Sequence, residues 1–535
     1  MPSQEPIKPA PSDLSALGPL KQPVFRMLWG TWLVANTCMW MSDVAAAWLM
    51  TSMTTTPLWV ALVQTAATLP VFLLGLPSGA LADILDRRRY FIMTQFWIAG
   101  VATLLCIAVI AGVMTPPLLL ALTFANGVGL AMRWPVFAAI VPELVPRAQL
   151  PAALALNGIS MNASRIIGPL VAGALIASAG TQFVFVLNAV LSVISGFVIM
   201  RWRRAHTPSP LGRERLVSAI RVGVQFVAQS SRLRAVLVQV ALFFLHSTAL
   251  LALLPLIAKG LHTGDAGTFT LLLASMGAGA IGAALYMPRL RQWLPRDALV
   301  LRATLLQSVA TAVMALAPNV WVAVPAMLLN GMAWITCANS RSVSAQLALP
   351  DWVRARGMSM YQMAIMGGSA LGAALWGQVA TVTTVPTALA VAALSGGVCM
   401  FFAQRFVRDV SLEEDLTPSS EFKAPVADAP GAGQVLVTIE YLIDPLRTSD
   451  FRALMQVSRR SRLRQGALGW ELLRDVNQPG RFIEQIIDES WTEHLRRFDR
   501  VTASDVSLRE RKLAFHLPEA PPLVTRCIVE TGARI

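Results

Sequence analysis

The chain has 535 residues, 55% apolar and only 14% charged, against roughly a quarter charged in an ordinary soluble domain. The charges are bunched and leave long clean apolar runs between them, which excludes a purely soluble enzyme. A net charge of +14 raises the question of nucleic acid. The cations fall in loops between apolar runs, where anionic lipid and the cytosol account for them, so no nucleic-acid partner is expected.

In chain order, residues 1–22, with Pro2, Pro6, Pro9 and Pro11, read as a disordered polar tail. They are no cleavable signal peptide, because the first apolar run starts after residue 26 and is too long. A bilayer core about 30 Å thick takes about 20 apolar residues of helix. Twelve segments fit: near 27–50, 58–82, 91–113, 117–141, 152–178 and 183–201, then 234–258, 267–287, 298–317, 319–341, 358–380 and 385–404. They predict an N-terminal six-helix bundle (23–201), a cytosolic central loop (202–233) and a C-terminal six-helix bundle (234–406).

The two halves repeat each other. Asn126-Gly127 returns as Asn330-Gly331, and Gly168 with Gly173 returns as Gly372 with Gly377, each 204 positions on. A duplicated hydrophobic half is the signature of a transporter whose two bundles alternate around a central site.

Charge placement orients the spans. Arg87, Arg88 and Arg89 follow the second, Arg147 the fourth, Arg289, Arg291 and Arg296 the eighth, and Arg354 and Arg356 the tenth. The central loop carries Arg203, Arg204, Arg213, Arg215, Arg221 and Arg232. The alternate loops 51–57, 114–116, 179–182 and 381–384 have no Lys or Arg, and only Lys259 breaks the pattern. The positive-inside rule then puts both termini in the cytosol of a bacterial inner membrane.

Within the central loop, Leu216, Ile220, Val224 and Val227 fall on one face of a possible amphipathic helix. Residues 407–433, with Glu413, Glu414, Asp415 and Pro418, read as an acidic flexible linker. From 434 to 535 the character is soluble: a strand at Val435–Leu442 and a helix from Thr448 to about Arg462. Strands at Leu468–Asp475 and Arg481–Ser490 follow, then helices at Trp491–Arg500 and Ala503–Leu513 and a strand at Val524–Val529. That β-α-β-β-α-β order predicts a ferredoxin-like α+β domain. The five cysteines (38, 106, 337, 399 and 527) show no paired spacing, so neither disulfides nor a metal is expected. No phosphate-binding loop is present to make the chain ATP-driven, and no cofactor is expected.

After the second span, Gly79 and Asp83 precede the basic run Arg87-Arg88. This resembles the cytosolic loop motif between helices 2 and 3 of the major facilitator superfamily, which implies a twelve-helix fold. By that resemblance Asp83 helps latch the outward-open state, and Arg87 and Arg88 support the turn. The second-half counterpart, Gly282 to Arg291, lacks the acid. Gly168-Pro169 with Gly173 in span five is similar to the helix-5 Gly-Pro motif of exporters in that superfamily, the alternative being plain helix packing. Thr123 stands where many proton-coupled members carry an arginine, and Arg133 lies six residues beyond Gly127, one to two turns nearer the cytosol, which weakens proton antiport. The whole chain resembles the enterobactin-exporter-like branch, through Pro57-Leu58-Trp59, Leu81 to Asp83, Arg165 to Pro169 and above all its tail. Gly466 to Trp470, Pro479 to Phe482 and Glu489 to Arg496 are similar to antibiotic-biosynthesis-monooxygenase-like domains, which form dimers. The resemblance implies a possible homodimer through the tail.

Charged groups inside spans cost roughly 2.5–3.5 kcal/mol on insertion scales and call for a role. Asp43 is the one acid within the expected helices, on a face with Asn36 and Trp40. Either it takes a proton or a cationic substrate, or it snorkels near the periplasmic end. The repeat places His246 near its symmetry mate, as a proton-coupling group or as a helix-interior histidine bonded to a backbone carbonyl. Arg165, beside Asn162, is the better candidate to pair with Asp43 or attract an anion, whereas Arg133 is expected only to snorkel. In the tail, Trp470, Trp491 and His494 could line an aromatic pocket or simply build a core. The combined expectation is an exporter of a small amphiphilic, siderophore- or drug-like molecule, driven by protons. The open alternatives are an importer or facilitator of the same fold, and a transporter fused to a cofactor-free monooxygenase-like tail.

Overall fold

The computed structural model describes residues 17–146, 149–202, 216–261, 265–350, 352–406, 415–419 and 433–530. Expectations for residues 1–16, for 407–414 and 420–432 of the linker, and for Arg147, Arg203, Arg204, Arg213 and Arg215 lie outside the described residues, as do the side chains of Asp83 and Asn162.

The helices are α1 Pro23–Met53, α2 Pro57–Ile84, α3 Arg87–Ile110, α4 Pro116–Leu144, α5 Leu150–Ser178 and α6 Thr181–Met200, then the shorter α7 Leu216–Gln229. After these come α8 Ser231–Gly260, α9 Ala266–Trp293, α10 Arg296–Leu316, α11 Val320–Leu347, α12 Arg354–Val382 and α13 Val385–Phe406. Proline at the first or second position starts α1, α2, α4 and α5, where the missing N–H has no intrahelical partner to lose. Asp86 caps α3, its carboxylate accepting from the Arg89 amide at 2.8 Å.

Among the described residues, eleven helices are long and apolar enough to cross a membrane, one fewer than the twelve segments of the sequence reading. The one missing is α1, whose 31 residues include Thr31, Asn36, Thr37, Ser42 and Asp43. These polar groups dilute its apolar run.

Two compact units emerge. The first comprises residues up to 213, 237–343 and 359–407, and the second 214–236, 344–358 and 408–535. In the first, the repeat has a structural reason. A Cβ added to Gly168 would lie 2.5 Å from Trp40 Cβ and 3.0 Å from the Thr37 carbonyl, so glycine is what lets α5 lie on α1. Its mate Gly372 meets the Leu245 carbonyl of α8 in the same way. The halves meet along α2 and α12, where the Leu58 amide donates to Thr381 Oγ1 at 3.0 Å and Thr65 Oγ1 to the Ala370 carbonyl at 3.0 Å. Gly173 of α5 rests against Thr270 of α9, and Lys259 Nζ donates to the Thr51 carbonyl at 2.5 Å.

In the second unit, the strands β1 Val435–Leu442, β2 Gly469–Arg474, β3 Arg481–Asp488 and β4 Leu523–Ile528 form one antiparallel sheet in the order β2-β3-β1-β4. The helices α14 Thr448–Arg464, α15 Trp491–Phe498 and α16 Ala503–Leu513 complete it. Strict alternation along β3 buries Phe482, Glu484, Ile486 and Asp488 on one face. Gly480, at φ +87°, closes the β2–β3 turn. The helix α7 belongs to this unit. It buries Ser218, Val222 and Phe226 and leaves Val224, one residue of the apolar stripe read from the sequence, exposed. Phe226 is in edge contact with Trp352 at 5.7 Å. Ser218 and Arg221 both donate to Glu489 Oε2 at 2.7 Å.

Candidate functional site

Two arginines stand inside the helical unit, each matched to aromatic rings. Arg165 of α5 holds its guanidinium 5.3 Å from the ring centre of Trp40 on α1 and 4.2 Å from that of Trp334 on α11. The cation is thus covered by one indole from each half. Its Nε is buried with no hydrogen-bond partner. Four residues on, Pro169 lacks the amide that would otherwise bond the Arg165 carbonyl, which loosens the helix at this turn.

Arg133 of α4 is 1% exposed, so it does not snorkel as expected. It is turned inward because Nη2 donates to Asn36 Oδ1 at 3.3 Å and its plane lies 5.1 Å from the Trp32 ring centre. Trp32 in turn stacks on Phe137 at 3.8 Å. The arrangement fastens α1 to α4.

Asp43 is half-buried on α1, three residues beyond Trp40, and no hydrogen bond or ion pair reaches its carboxylate among the described residues. The structure therefore does not join it to Arg165, nor to His246. His246 Nδ1 hydrogen-bonds the Leu242 carbonyl at 2.8 Å, one turn back, and its ring lies 5.7 Å from that of Trp376. Of the two readings for His246, its contacts are those of a helix-interior histidine.

At the loop motif, Arg88 Nη2 donates to the Met200 carbonyl at 2.7 Å and its Nε to the Trp202 carbonyl, tying α3 to the end of α6. Gly79 faces Pro135 at an ordinary contact distance. The sequence reading missed Trp32, Trp334 and Arg341. Arg341 is 4% exposed and pairs with Asp297 at 3.1 Å. It was placed at the very end of a span, whereas α11 runs on to Leu347.

In the C-terminal domain, Trp470 Nε1 donates to Glu484 Oε1 at 2.9 Å, and the Trp491 ring lies 5.3 Å from that of His494. His494 Nδ1 bonds Asp488 Oδ2 at 2.7 Å and its Nε2 accepts from Arg526 Nε at 3.3 Å, which assigns the neutral Nδ1–H tautomer. Both ring nitrogens are occupied. Of the three residues expected around one pocket, His494 lines the cavity between the sheet and the helices, Trp470 lines a separate open groove, and Trp491 lines neither.

A family model described as transmembrane secretion effector matches residues 14–533. The chain belongs to this family of the major facilitator superfamily. It is a multi-pass membrane transporter and not an enzyme. Solved superfamily structures share the fold. A POT family transporter in complex with 5-aminolevulinic acid gives a TM-score of 0.60 at 12% identity, over 72% of this chain and 96% of that one. The nucleoside transporter NupG gives 0.57 at 13%, over 71% and 98%, and the E. coli fucose:proton symporter FucP gives 0.52 at 17%, over 72% and 99%. Among curated relatives, the chain is 20% identical over 256 residues to the Staphyloferrin A transporter of Staphylococcus aureus, spanning 48% of this chain and 64% of that one. It is 28% identical over 177 residues to the uncharacterized MFS-type transporter YfiS of Bacillus subtilis, spanning 32% and 41%. The chain thus covers less than two thirds of the length of either.

Proposed function

We propose that this transporter is a secondary exporter of the enterobactin-exporter-like branch, moving a small amphiphilic, siderophore- or drug-like anion out of the bacterial cytosol by alternating access coupled to protons. The observation that carries the reading is Arg165 between Trp40 and Trp334. A carboxylate or phenolate accepts from the guanidinium edge, and an aromatic or alkyl body lies against the indoles. Because the two rings come from opposite halves, any rocking of the halves opens the cage and weakens the anion's hold.

In this reading α1 is the twelfth span: its length, and its burial of Trp32, Cys38 and Met41 among the other helices, support it. In this reading both termini lie in the cytosol, which the arginine-rich loops support, and the Leu58–Thr381 contact closes the halves on the opposite side. Asp43, whose carboxylate has no partner among the described residues, is the proposed proton carrier, taking up a proton from outside as the anion leaves. Asp83, Arg87 and Arg88 serve as the conformational latch. The sheet order β2-β3-β1-β4 supports a ferredoxin-like tail related to monooxygenase-like domains. The open sheet face, with Leu473 and Leu523 exposed, would serve a homodimer.

The test is accumulation of a compound panel in efflux-deficient cells carrying wild type or Asp43→Asn, with and without a protonophore. Lower accumulation with wild type, abolished by the variant and by the protonophore, is the expected result. Equal export by Asp43→Asn would remove the proton-carrier role, and raised accumulation with wild type would reverse the direction.

A further inference from the structure

Lys259 is the one cation that breaks the charge asymmetry of the loops. It stands in the last turn of α8, on the face of the Lys- and Arg-free loops, and its side chain reaches across to the first half. There Nζ donates to the Thr51 carbonyl at 2.5 Å and lies 5.5 Å from the ring centre of Trp48, both of α1. The Trp48 ring in turn stacks on Phe269 of α9 at 5.7 Å. One lysine and one indole thus interlock the end of α1 with two helices of the other half.

Backbone accounting explains why a cation is wanted there. The last four carbonyls of a helix lack an intrahelical amide, and the C-terminus carries the negative end of the dipole. Thr51 is among them in α1, which ends at Met53, and its carbonyl is met from the second half by Lys259. The next helix, α2, begins at Pro57 and leaves its first amides equally unpaired. The Leu58 amide is again met from the second half, by Thr381 Oγ1 at 3.0 Å. A Cβ on Gly377, one turn before Thr381, would lie 2.6 Å from Ala61 Cβ and 3.3 Å from Leu58 Cα, so α12 rests directly on the start of α2. The corner between α1 and α2 therefore has backbone groups at both of its edges satisfied by side chains of the other half. Both bonds break if the halves part on this face, and water replaces the partners, so such a lock holds without being permanent.

We propose that Lys259 is the latch of the gate on this face. Its ammonium, held on Thr51 and Trp48, keeps the two halves together while the central site is open to the other face, and its release accompanies opening. The proposal rests on the alternating-access reading above, and on neither the substrate, the coupling ion nor the direction given there.

The experiment is hydrogen–deuterium exchange of the full-length protein in nanodiscs, comparing wild type, Lys259→Met and Lys259→Arg. Lys259 is exposed, so neither variant disturbs the core. Lys259→Met is expected to speed exchange at the end of α1. At a distance, it should also speed exchange around Leu58 and Thr381 by about threefold or more, as loss of one hydrogen bond shifts an opening equilibrium. Lys259→Arg, which keeps a cation, should stay near wild type. Faster exchange confined to α1 would reduce Lys259 to a helix cap and overturn the proposal. Unchanged exchange in Lys259→Met, or an equal effect of the two variants, would overturn it as well. The opposite face reports separately on alternating access, which predicts slower exchange around Asp86 and Leu294 in Lys259→Met. Faster exchange around Leu58 and Thr381 without that slowing would leave the latch standing and remove alternating access.

Discussion

The guanidinium of Arg165 lies 4.2 Å from the ring centre of Trp334, a contact that joins the first half of the transporter to the second. A desolvated cation–π contact is worth up to about 2 kcal/mol. Trp334→Leu removes one wall of the cage and leaves the cation in place. It is expected to weaken substrate affinity by about tenfold, while the protein's thermal unfolding temperature changes little. Substrate-concentration series in membrane vesicles check this.

Arg133 and Asn36 make a different prediction, because their contact is internal to one half. Asn36→Leu strips a buried guanidinium of its side-chain acceptor, and a hydrogen bond to a charged group is worth about 1.5–3 kcal/mol. The variant should unfold at lower temperature and reach the membrane in smaller amounts. Adding Arg133→Met should recover part of the loss, since the buried charge then goes as well. A double variant no more stable than Asn36→Leu alone would show that the pair is not a unit.

The glycines separate packing from latch. Gly168→Ala puts a methyl group 2.5 Å from Trp40 Cβ, and overpacking of this kind costs about 1–3 kcal/mol. Gly79→Ala meets nothing nearer than Pro135 at 4.0 Å and should be nearly silent in stability. Thermal unfolding of the two purified variants side by side checks the contrast.

In the C-terminal domain Glu484 is fully buried, and burial alone would raise its carboxyl. Lys512 and Arg462, with donors from Trp470 and Ser458, instead hold it well below the usual carboxylate range. Asp488 is likewise held down against its burial, by Arg497 and His494. Depressed carboxyls contribute stability that is complete above the ordinary carboxylate value of about 4 and is lost as the pH falls through the folded values. The domain should therefore be insensitive to pH from neutral down to about 5 and loosen below about 4. Glu484→Gln should lower its stability by about 3–5 kcal/mol at neutral pH, because Lys512 is left buried without its counter-charge. Pulsed hydrogen exchange over residues 435–530, labelled at one fixed pH after incubation at each test pH, reads both effects.

Length and apolarity marked twelve spans, of which eleven meet the same measure as helices among the described residues, and α1 falls short because its polar residues dilute it. The strands of the tail were legible too, since β3 alternates strictly and Asn477 to Gly480 marks a turn. What periodicity could not supply was facing. The apolar stripe of α7 includes Val224, which is exposed, whereas the buried Phe226 in contact with Trp352 lies off that stripe. Likewise Arg165 was evident as an expensive charge, but its partners come from helices more than a hundred residues away on either side. Trp334 carries no local mark that distinguishes it from a span-lining tryptophan. Arg341 was hidden by a helix that continues past the end of its apolar run.

The most direct test of the transport cage is substrate movement in proteoliposomes containing wild type, Arg165→Lys or Arg165→Gln. Each is offered an amphiphilic carboxylate and its uncharged amide. The cage predicts that wild type moves the carboxylate and not the amide. It predicts that Arg165→Gln loses carboxylate transport while remaining folded, and that Arg165→Lys, which keeps the charge but not the planar fork between two indoles, retains only a fraction. Carboxylate transport by Arg165→Gln at the wild-type rate would contradict the account.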